Sequence, residues 1–574
     1  MGSLEIIPLY FIALFLFLLP GAAVTLIVTA RRKLSRIQAL TLTVTASAAF
    51  GYAAFWVYFG NKYFGEAFSY TVLLLSACVV VNGLRDPQAR AVIRSIMSPG
   101  AYVLIAGVCY LCFFFLFGNP LQARVDLANV RFFDDVRPGD NLIPFIFAER
   151  IYDKQPLKPF CCGDWLSSDR PPLQAGIFLL QRPVRALGNT GLQYQTLGTA
   201  LQCIWIWGIW ALLTSLRTHP QRIRQALGFL IFSGFLFYNS VYVWPKLFGA
   251  GLMLLAASVV LEAFINKRAL TSFDSALAAA SIALAMLAHP GTAFSLPALA
   301  ALLLWKKRDF SLRPVLFAAA TIALFVAPWI AYQKLYDPPG NRLLKMHLAG
   351  VGGIDSRSVR QAIEDAYTSR SAATLLQYKW TNVAGLIGSE PVRGFGLNTD
   401  ARVAQREYIW NAIGVLNAGW LVIAGLLVLR KRRAAVPGSA WLIAAALLNF
   451  AVWCVILFGP RATTTTHSSY ADILLLSLGL LGFLLILPRI VVLVLFAIQV
   501  LNFAWTWVLF IPVGVPTSIT ASTAPELQWP MLIAGAVCTA GLIWHFGRSY
   551  SHRDATESLA LGSETSRVDS GIMF

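Results

Sequence analysis

Charged residues are scarce in this chain of 574 residues: 13% are Asp, Glu, Lys or Arg, whereas 57% are hydrophobic. Acidic residues are scarcer than basic ones, with 27 Asp and Glu against 46 Lys and Arg. So apolar a composition excludes an ordinary soluble protein and indicates a membrane protein. The eight cysteines lack the spacing of a four-ligand metal site, and the adjacent pair Cys161 and Cys162 has no interpretation here.

Long apolar runs make up most of the chain. They are about 17 to 25 residues long, and each is long enough to cross a bilayer as a helix. We count about fifteen such runs and therefore predict an all-α polytopic membrane protein. The first run is preceded by Glu5 and lacks the basic segment of a signal peptide, so we expect it to be retained as a span.

Basic residues are grouped in alternate loops rather than spread over a surface. The groups lie at residues 31–36, 85–94, 217–224, 266–268, 306–313 and 430–433. This alternation is typical of cytoplasmic loops, and it explains the net charge of +19 without a nucleic-acid partner. It predicts a multi-pass protein of the inner (plasma) membrane, with the N-terminus outside and the C-terminus in the cytoplasm.

The acidic residues divide the chain further. Eight of the 27 lie at residues 119–172 and seven at residues 336–409, the two loops long enough to build a site. Both are predicted to be extracytoplasmic. The predicted organisation is N-terminal spans at 1–118, the first long loop at 119–172, central spans at 173–335, the second long loop at 336–409, C-terminal spans at 410–547 and a cytoplasmic tail at 548–574.

The first long loop contains the stretch GDNLIPFIFAERIYDK, residues 139–154. Its apolar residues recur at helical spacing from Leu142 to Ile151, which predicts an amphipathic helix at the membrane surface. Pro144 suits the first turn of such a helix. Asp140 then lies near its N-cap, where a carboxylate meets free backbone N–H groups. Asp140 is therefore either a helix cap or a functional carboxylate.

The loop ends with the sequence DRPPL, residues 169–173. Asp-Asn, a surface helix with Ala-Glu near its end, and Asp-Arg-Pro-Pro-Leu, in this order, resemble the first outer loop of the lipid-dependent GT-C glycosyltransferases. The likeness is strongest to the protein mannosyltransferase and aminoarabinose (lipid A) transferase branch. As a motif it covers roughly residues 134–180, and it implies a GT-C-like fold with surface helices in the two long loops.

The resemblance implies a role for each matching residue. Asp140 takes the place of the catalytic carboxylate, Asp169 that of the second acid, and Arg170 that of the cation on the donor phosphate. The chain departs from the family pattern in having Asn141 where Glu is usual and three spans before the expected first one. The upstream pair Asp134 and Asp135 is the rival source of the catalytic base.

Other cations and polar residues are candidates for the same site. Lys246 follows an aromatic group and is an interfacial anchor or a phosphate contact; His289, in His-Pro-Gly, forms a turn or a donor contact. In the second long loop, three basic residues lie between turns and precede a single helix that is predicted from about Ser356. A later polar stretch is expected to line the acceptor or donor path. These residues are Arg342, Lys345 and His347 in the loop, and Arg461, His467 and Asp472 in the stretch.

The predicted chemistry is sugar transfer. Outside the cytoplasm no nucleotide sugar is normally present, so an activated sugar must arrive on a lipid such as a polyprenyl phosphate. A carboxylate then deprotonates an acceptor on a glycan, lipid or protein, and cations stabilise the departing phosphate. The resemblance to the GT-C enzymes implies that the anomeric configuration inverts. The carboxylates also suit a divalent metal ion, although no ligand spacing requires one. The alternatives are a transporter or lipid flippase, and an O-antigen ligase or polymerase.

Overall fold

The described part of the structure, a computed structural model, consists of helices joined by short loops. It covers residues 5–117, 127–133, 140–160, 165–184, 189–305, 311–388, 399–412, 414, 434–509 and 527–548. Within these ranges the β-type pairing is a single isolated bridge between Phe117 and Leu527. The predicted all-helical class is confirmed for this part of the chain.

The helices of the first half run from the N-terminus to the central spans. They are α1 Ile6–Thr29, α2 Arg36–Gly60, α3 Lys62–Gly83, α4 Pro87–Phe114, α5 Leu127–Phe133, α6 Leu142–Tyr152, α7 Leu173–Gln181, α8 Thr190–Gln202, α9 Trp205–Ser215, α10 Pro220–Ile231, α11 Gly234–Val241, α12 Lys246–Ile265 and α13 Ser272–Ala288.

The helices of the second half include those of the second long loop. They are α14 Leu296–Trp305, α15 Leu312–Ala331, α16 Arg342–Ala349, α17 Val359–Thr368, α18 Ala372–Ile387, α19 Thr399–Glu407, α20 Ile409–Ala412, α21 Ser439–Ile456, α22 Tyr470–Leu484, α23 Arg489–Phe503 and α24 Trp529–Arg548.

Ten of the described helical segments are long and apolar enough to cross a membrane, and three shorter apolar helices accompany them. The segment Thr190–Ser215, which joins α8 and α9, contains an 18-residue stretch that is completely buried inside the protein. Peripheral helices instead expose large apolar side chains, such as Leu74 at 65%, Leu324 at 69% and Val537 at 66%. Such surfaces suit contact with lipid chains. The chain is a polytopic helical membrane protein, and the count of about fifteen spans remains a prediction.

The two long loops form short helices as expected, with two corrections. The predicted loop helix is present as α6, with Pro144 in its first turn, but its N-cap residue is Asn141 and no side chain caps it. The Asp140 side chain therefore does not cap this helix. In the second loop, a single helix was expected from about Ser356; the chain forms α17 and α18 instead, because Ser371 begins a new helix by accepting a hydrogen bond from Thr374 N.

A close crossing between α2 and α7 positions the end of the first loop. A methyl group added at Gly176 in α7 would lie 2.2 Å from the Gly51 carbonyl oxygen and 2.8 Å from Phe55 Cβ. The absence of a side chain thus lets the two backbones touch. Because α7 begins at Leu173, this contact holds the DRPPL segment against the bundle.

We expect Gly176→Ala to lower the stability by about 1–3 kcal/mol, the usual cost of overpacking a tight contact. The measurement is the melting temperature of the purified protein in nanodiscs. Gly541→Ala, on α24, is the matched control, because an added methyl group there meets nothing within 4 Å. Equal melting temperatures for the two variants would contradict this account of the crossing.

Candidate functional site

Asp140 and Arg170, which lie 30 positions apart in the chain, form an ion pair. The Arg170 Nη2 atom lies 2.8 Å from Asp140 Oδ2. The Arg170 side chain is 9% exposed, whereas the Asp140 side chain is 29% exposed. Asp140 precedes α6 and Arg170 follows a short 3-10 helix, Ser167–Asp169, so the middle of the first loop and its C-terminal end converge at this contact.

A second ion pair links the two long loops. The Arg342 Nη1 atom, at the start of α16, lies 3.0 Å from Asp169 Oδ2, which also accepts a hydrogen bond from Leu166 N at 2.9 Å. Burial raises the pKa of the Asp169 carboxyl, and the hydrogen bond from Leu166 and the charge of Arg342 oppose that rise. Consecutive residues, Asp169 and Arg170, thus form two separate pairs.

Trp165 brings the two guanidinium groups together. The Arg170 Cζ atom lies 5.0 Å from the centre of the Trp165 ring, and the Arg342 Cζ atom lies 5.2 Å from it. An indole ring attracts cations at this distance and partly offsets the repulsion between them. Arg170 also lies 5.7 Å from the ring of Trp244, which leads to the next cation.

Lys246, the first residue of α12, is 2% exposed, so it is not an anchor at the membrane surface. Its Nζ atom donates to the carbonyl oxygens of Thr466 and Ser468 and lies 4.3 Å from the Trp244 ring. No carboxylate of the described residues lies within ion-pair distance of this ammonium group. A buried cation compensated only by carbonyls and rings is a strong attractor for an anion.

His289 also contacts Trp244, with the two ring centres 5.1 Å apart. Its Nδ1 atom accepts a hydrogen bond from Gly291 N at 3.0 Å, which forms the turn expected at His-Pro-Gly. Its Nε2 atom is buried and has no hydrogen-bond partner in the structure. The residue therefore combines a structural contact with one polar atom that remains open to a ligand.

His347 and His467 complete the group, with ring centres 6.2 Å apart. Burial, followed by the charges of Lys246 and Arg170, lowers the pKa of His347 to about 4. Burial and the same lysine lower the pKa of His467 to about 3, although His467 is exposed by its surface area.

We call these eight residues the charged cluster. It consists of Asp140, Asp169, Arg170, Lys246, His289, Arg342, His347 and His467. The two carboxylates are matched by the two arginines, so among the charges of this cluster Lys246 remains uncompensated when the histidines are neutral. This balance suits a phosphate, which arginine and lysine bind through charge-assisted hydrogen bonds.

Three of the predicted residues lie elsewhere. Lys345 is buried and donates to the carbonyl of Asp355 in its own loop. Arg461 is exposed. Asp472 is buried in α22, where Oδ1 accepts hydrogen bonds from Ser295 Oγ at 2.8 Å and Asn449 Nδ2 at 2.7 Å. The rival acids Asp134 and Asp135 lie outside the described residues.

Asp337 is a residue of this region that sequence reasoning missed. It is completely buried, and its Oδ2 atom accepts hydrogen bonds at 2.8 Å from both Ser167 Oγ and Ser168 N. Lys158 Nζ lies 3.2 Å from its Oδ1 atom. Asp337 thus fixes the segment just before Asp169 and Arg170. One feature of the sequence could have drawn attention to Asp337: it stands beside two prolines at the start of the second loop.

Arg406, in α19, is the second missed residue. Its Cζ atom lies 5.0 Å from the ring of Phe133 and 5.6 Å from that of Tyr238. Tyr238 stacks on Tyr242, which in turn contacts Trp244, so a row of rings connects Arg406 with the charged cluster. Nothing in its sequence surroundings distinguished Arg406 from other loop arginines.

A metal centre has no support in the described part of the chain. No group of three or more His, Cys, Asp or Glu side chains there is arranged to hold a metal ion.

Comparison of the chain with protein-family models, with curated proteins and with solved structures finds no match. The site must therefore be interpreted from its own geometry.

We expect the melting temperature to fall as the pH is lowered from about 6.5 to 4. The folded-state pKa values of His347 and His467 lie below the ordinary value of 6.5, so the unfolded chain binds more protons in this window and folding weakens. His347→Gln should show a smaller fall over the same range. Identical pH profiles for the variant and the parent protein would contradict this.

Asp337→Ala should lower the stability by about 1–3 kcal/mol, because the buried Ser168 N loses its acceptor and Ser167 Oγ keeps only Tyr332 as a partner. The matched control is Asp365→Ala, since the Asp365 side chain is 51% exposed and pairs with Arg357 at the surface. Melting temperatures in nanodiscs should drop by several degrees for Asp337→Ala and stay unchanged for the control. A drop of the same size in both would exclude a special role for Asp337.

Proposed function

We propose that the protein is an integral membrane glycosyltransferase that moves a sugar from a polyprenyl phosphate to a hydroxyl acceptor. The observation that carries the proposal is the pairing of Asp140 with Arg170 at 2.8 Å, beside the buried and uncompensated Lys246. A proton acceptor and two cations within one small region are the groups that this reaction requires. The resemblance of the first loop to GT-C enzymes points the same way.

The donor phosphate competes with Asp140 for Arg170. In the free protein, Asp140 holds the Arg170 guanidinium. A lipid phosphate brings two or more oxygens and reaches both Arg170 and Lys246, so it displaces the carboxylate from the arginine. Asp140 is then released next to the bound donor and can act as a base. In this mechanism, donor binding itself prepares the catalytic carboxylate.

The transfer is a single displacement. Asp140 takes the proton of the acceptor hydroxyl as its oxygen attacks the anomeric carbon of the sugar. The bond between this carbon and the phosphate oxygen breaks, and its electron pair leaves with the lipid phosphate. Arg170 and Lys246 stabilise the negative charge of the departing phosphate, so no general acid is needed. The product is a glycoside with inverted configuration, and Asp140 later returns its proton to water.

The remaining members of the charged cluster support this arrangement. Asp169 holds Arg342 at 3.0 Å and so connects the second loop to the donor side of the site. His289 offers the unpartnered Nε2 atom to the donor. In this proposal the site faces away from the cytoplasm in a cell inner membrane, and the acceptor is a glycan, a lipid or a protein.

The first experiment measures release of decaprenyl phosphate from a panel of decaprenyl-phosphate sugars by the protein in nanodiscs. Asp140→Asn should lower the rate by about 10²–10⁴-fold, the usual contribution of a general base. Asp153→Asn, an exposed acid just after α6, is the matched control and should keep the parent rate. An active Asp140→Asn protein with an inactive Asp135→Asn protein would move the base to the upstream pair.

The same assay separates the competing functions. A transporter or flippase forms no covalent product with any donor. A glycan ligase that relies on loop arginines loses activity in Arg342→Gln and retains it in Asp140→Asn. Loss of transfer in Asp140→Asn together with a detectable glycoside product in the parent supports the proposal.

A second experiment tests the competition for Arg170, with decaprenyl phosphate as the probe and binding measured in nanodiscs. Lys246→Met should weaken binding by about 10- to 100-fold, the range expected for loss of a charged hydrogen bond. Asp140→Asn should bind the probe more tightly than the parent, because the neutral amide holds Arg170 less strongly. Arg461→Met is the control, since Arg461 is exposed. Weaker binding in Asp140→Asn would contradict the competition.

A further inference from the structure

Helix α18 exposes an apolar face although it belongs to a predicted loop. Its large exposed side chains are Leu376 at 73%, Trp380 at 72%, Val383 at 36% and Ile387 at 39%. The spacing of four, three and four residues places them on one side of the helix. Exposed alanines extend the same face, and Gln377 lies at its edge.

Two polar side chains of α18, those of Lys379 and Asn382, turn towards the protein instead. Asn382 is completely buried, and Lys379 Nζ donates to the Leu457 carbonyl at 2.7 Å. A helix lying in water shows the opposite arrangement, with apolar residues inside and polar residues outside. The inverted pattern of α18 therefore indicates an apolar medium on its exposed side.

Hydrogen bonds prevent α18 from rotating to hide this face. Asn382 Nδ2 donates to the carbonyls of Cys454 and Leu457 at 3.3 and 3.2 Å, and Asn382 Oδ1 accepts from Ala462 N at 2.8 Å. Thr463 Oγ1 donates to the Asn382 carbonyl as well. Rotation of the helix would break these contacts, so the apolar face stays outward.

The exposed face of α18 adjoins a lipid-facing surface. The end of α21, a candidate membrane span, exposes Val455 at 61% and Ile456 at 39%, next to the carbonyls that Asn382 binds. With 16 residues, α18 is about 24 Å long, too short to cross a hydrocarbon core of about 30 Å. A helix of this kind lies along the membrane surface.

We propose that α18 is embedded lengthwise in the bilayer leaflet nearest the charged cluster, with Leu376, Trp380, Val383 and Ile387 among the lipid chains. The chain that follows α21 supplies hydrogen bonds to Asn382 of α18. It then continues to Thr466 and Ser468, whose carbonyl oxygens accept hydrogen bonds from Lys246. The embedded helix therefore brings the leaflet alongside the charged cluster. This inference is independent of the proposed reaction, because it concerns only the surrounding medium of one helix.

Collisional quenching tests the proposal. The Leu376→Cys protein is labelled with the fluorophore NBD and reconstituted into phosphatidylcholine vesicles with and without lipids that carry a doxyl group on the acyl chain. We expect the doxyl lipids to quench the label at least twofold. The matched control is Glu364→Cys, an exposed position on α17 of the same loop, where quenching should be small. The signal of the labelled parent protein, in which Cys78 is exposed, is subtracted.

Equal and weak quenching at positions 376 and 364 would overturn the proposal, because α18 would then face water. If Leu376→Cys fails to fold, Trp380→Cys takes its place with the same label.

A label-free measurement compares Trp380→Glu with Trp380→Leu by melting temperature in nanodiscs. The embedded helix predicts a drop of several degrees for Trp380→Glu alone, since a carboxylate is costly among lipid chains; unchanged stability in both variants would also overturn the proposal.

Discussion

Charge compensation among apolar helices is the constraint on which this structure depends. A charged group removed from water is stable only if an opposite charge, a polar group or a ring takes the place of the solvent. Asp140 meets Arg170, Asp169 meets Arg342, and Lys246 meets two carbonyls and an indole ring. These contacts connect the first long loop, the second long loop and a central span. The same ion pairs therefore form the candidate site and hold the loops in place.

The segment at residues 165–173 is the centre of this arrangement. Trp165 carries two guanidinium groups, Ser167 and Ser168 bind Asp337, and Asp169 and Arg170 each take a partner from a different part of the chain. Leu173 then begins α7, which crosses α2 at the contact between Gly176 and Gly51. A segment held by several contacts suits the proposed reaction, because catalysis depends on the positions of charged groups.

Parts of this region could be predicted from the sequence because their signals are local. The helix at α6 and the turn at His289 follow from the residue spacing and the prolines in their immediate neighbourhood. Asp337 and Arg406 were missed because their importance comes from partners far away in the chain. A distant partner also decides the role of Asp140. Its position beside α6 favoured a helix cap, but its carboxylate pairs with Arg170 and does not cap the helix.

The sequence by itself determined the membrane class, the helical architecture and the two loops that carry the acids, because hydrophobicity and charge density are properties of composition and of short windows. Only the tertiary structure decided which acid meets which cation, that Lys246 is buried without a carboxylate among the described residues, and that α18 directs its apolar face outward. Ion pairs act across space over a few ångströms. Partners such as Asp169 and Arg342 are brought within that distance by the packing of helices, which the linear pattern does not specify.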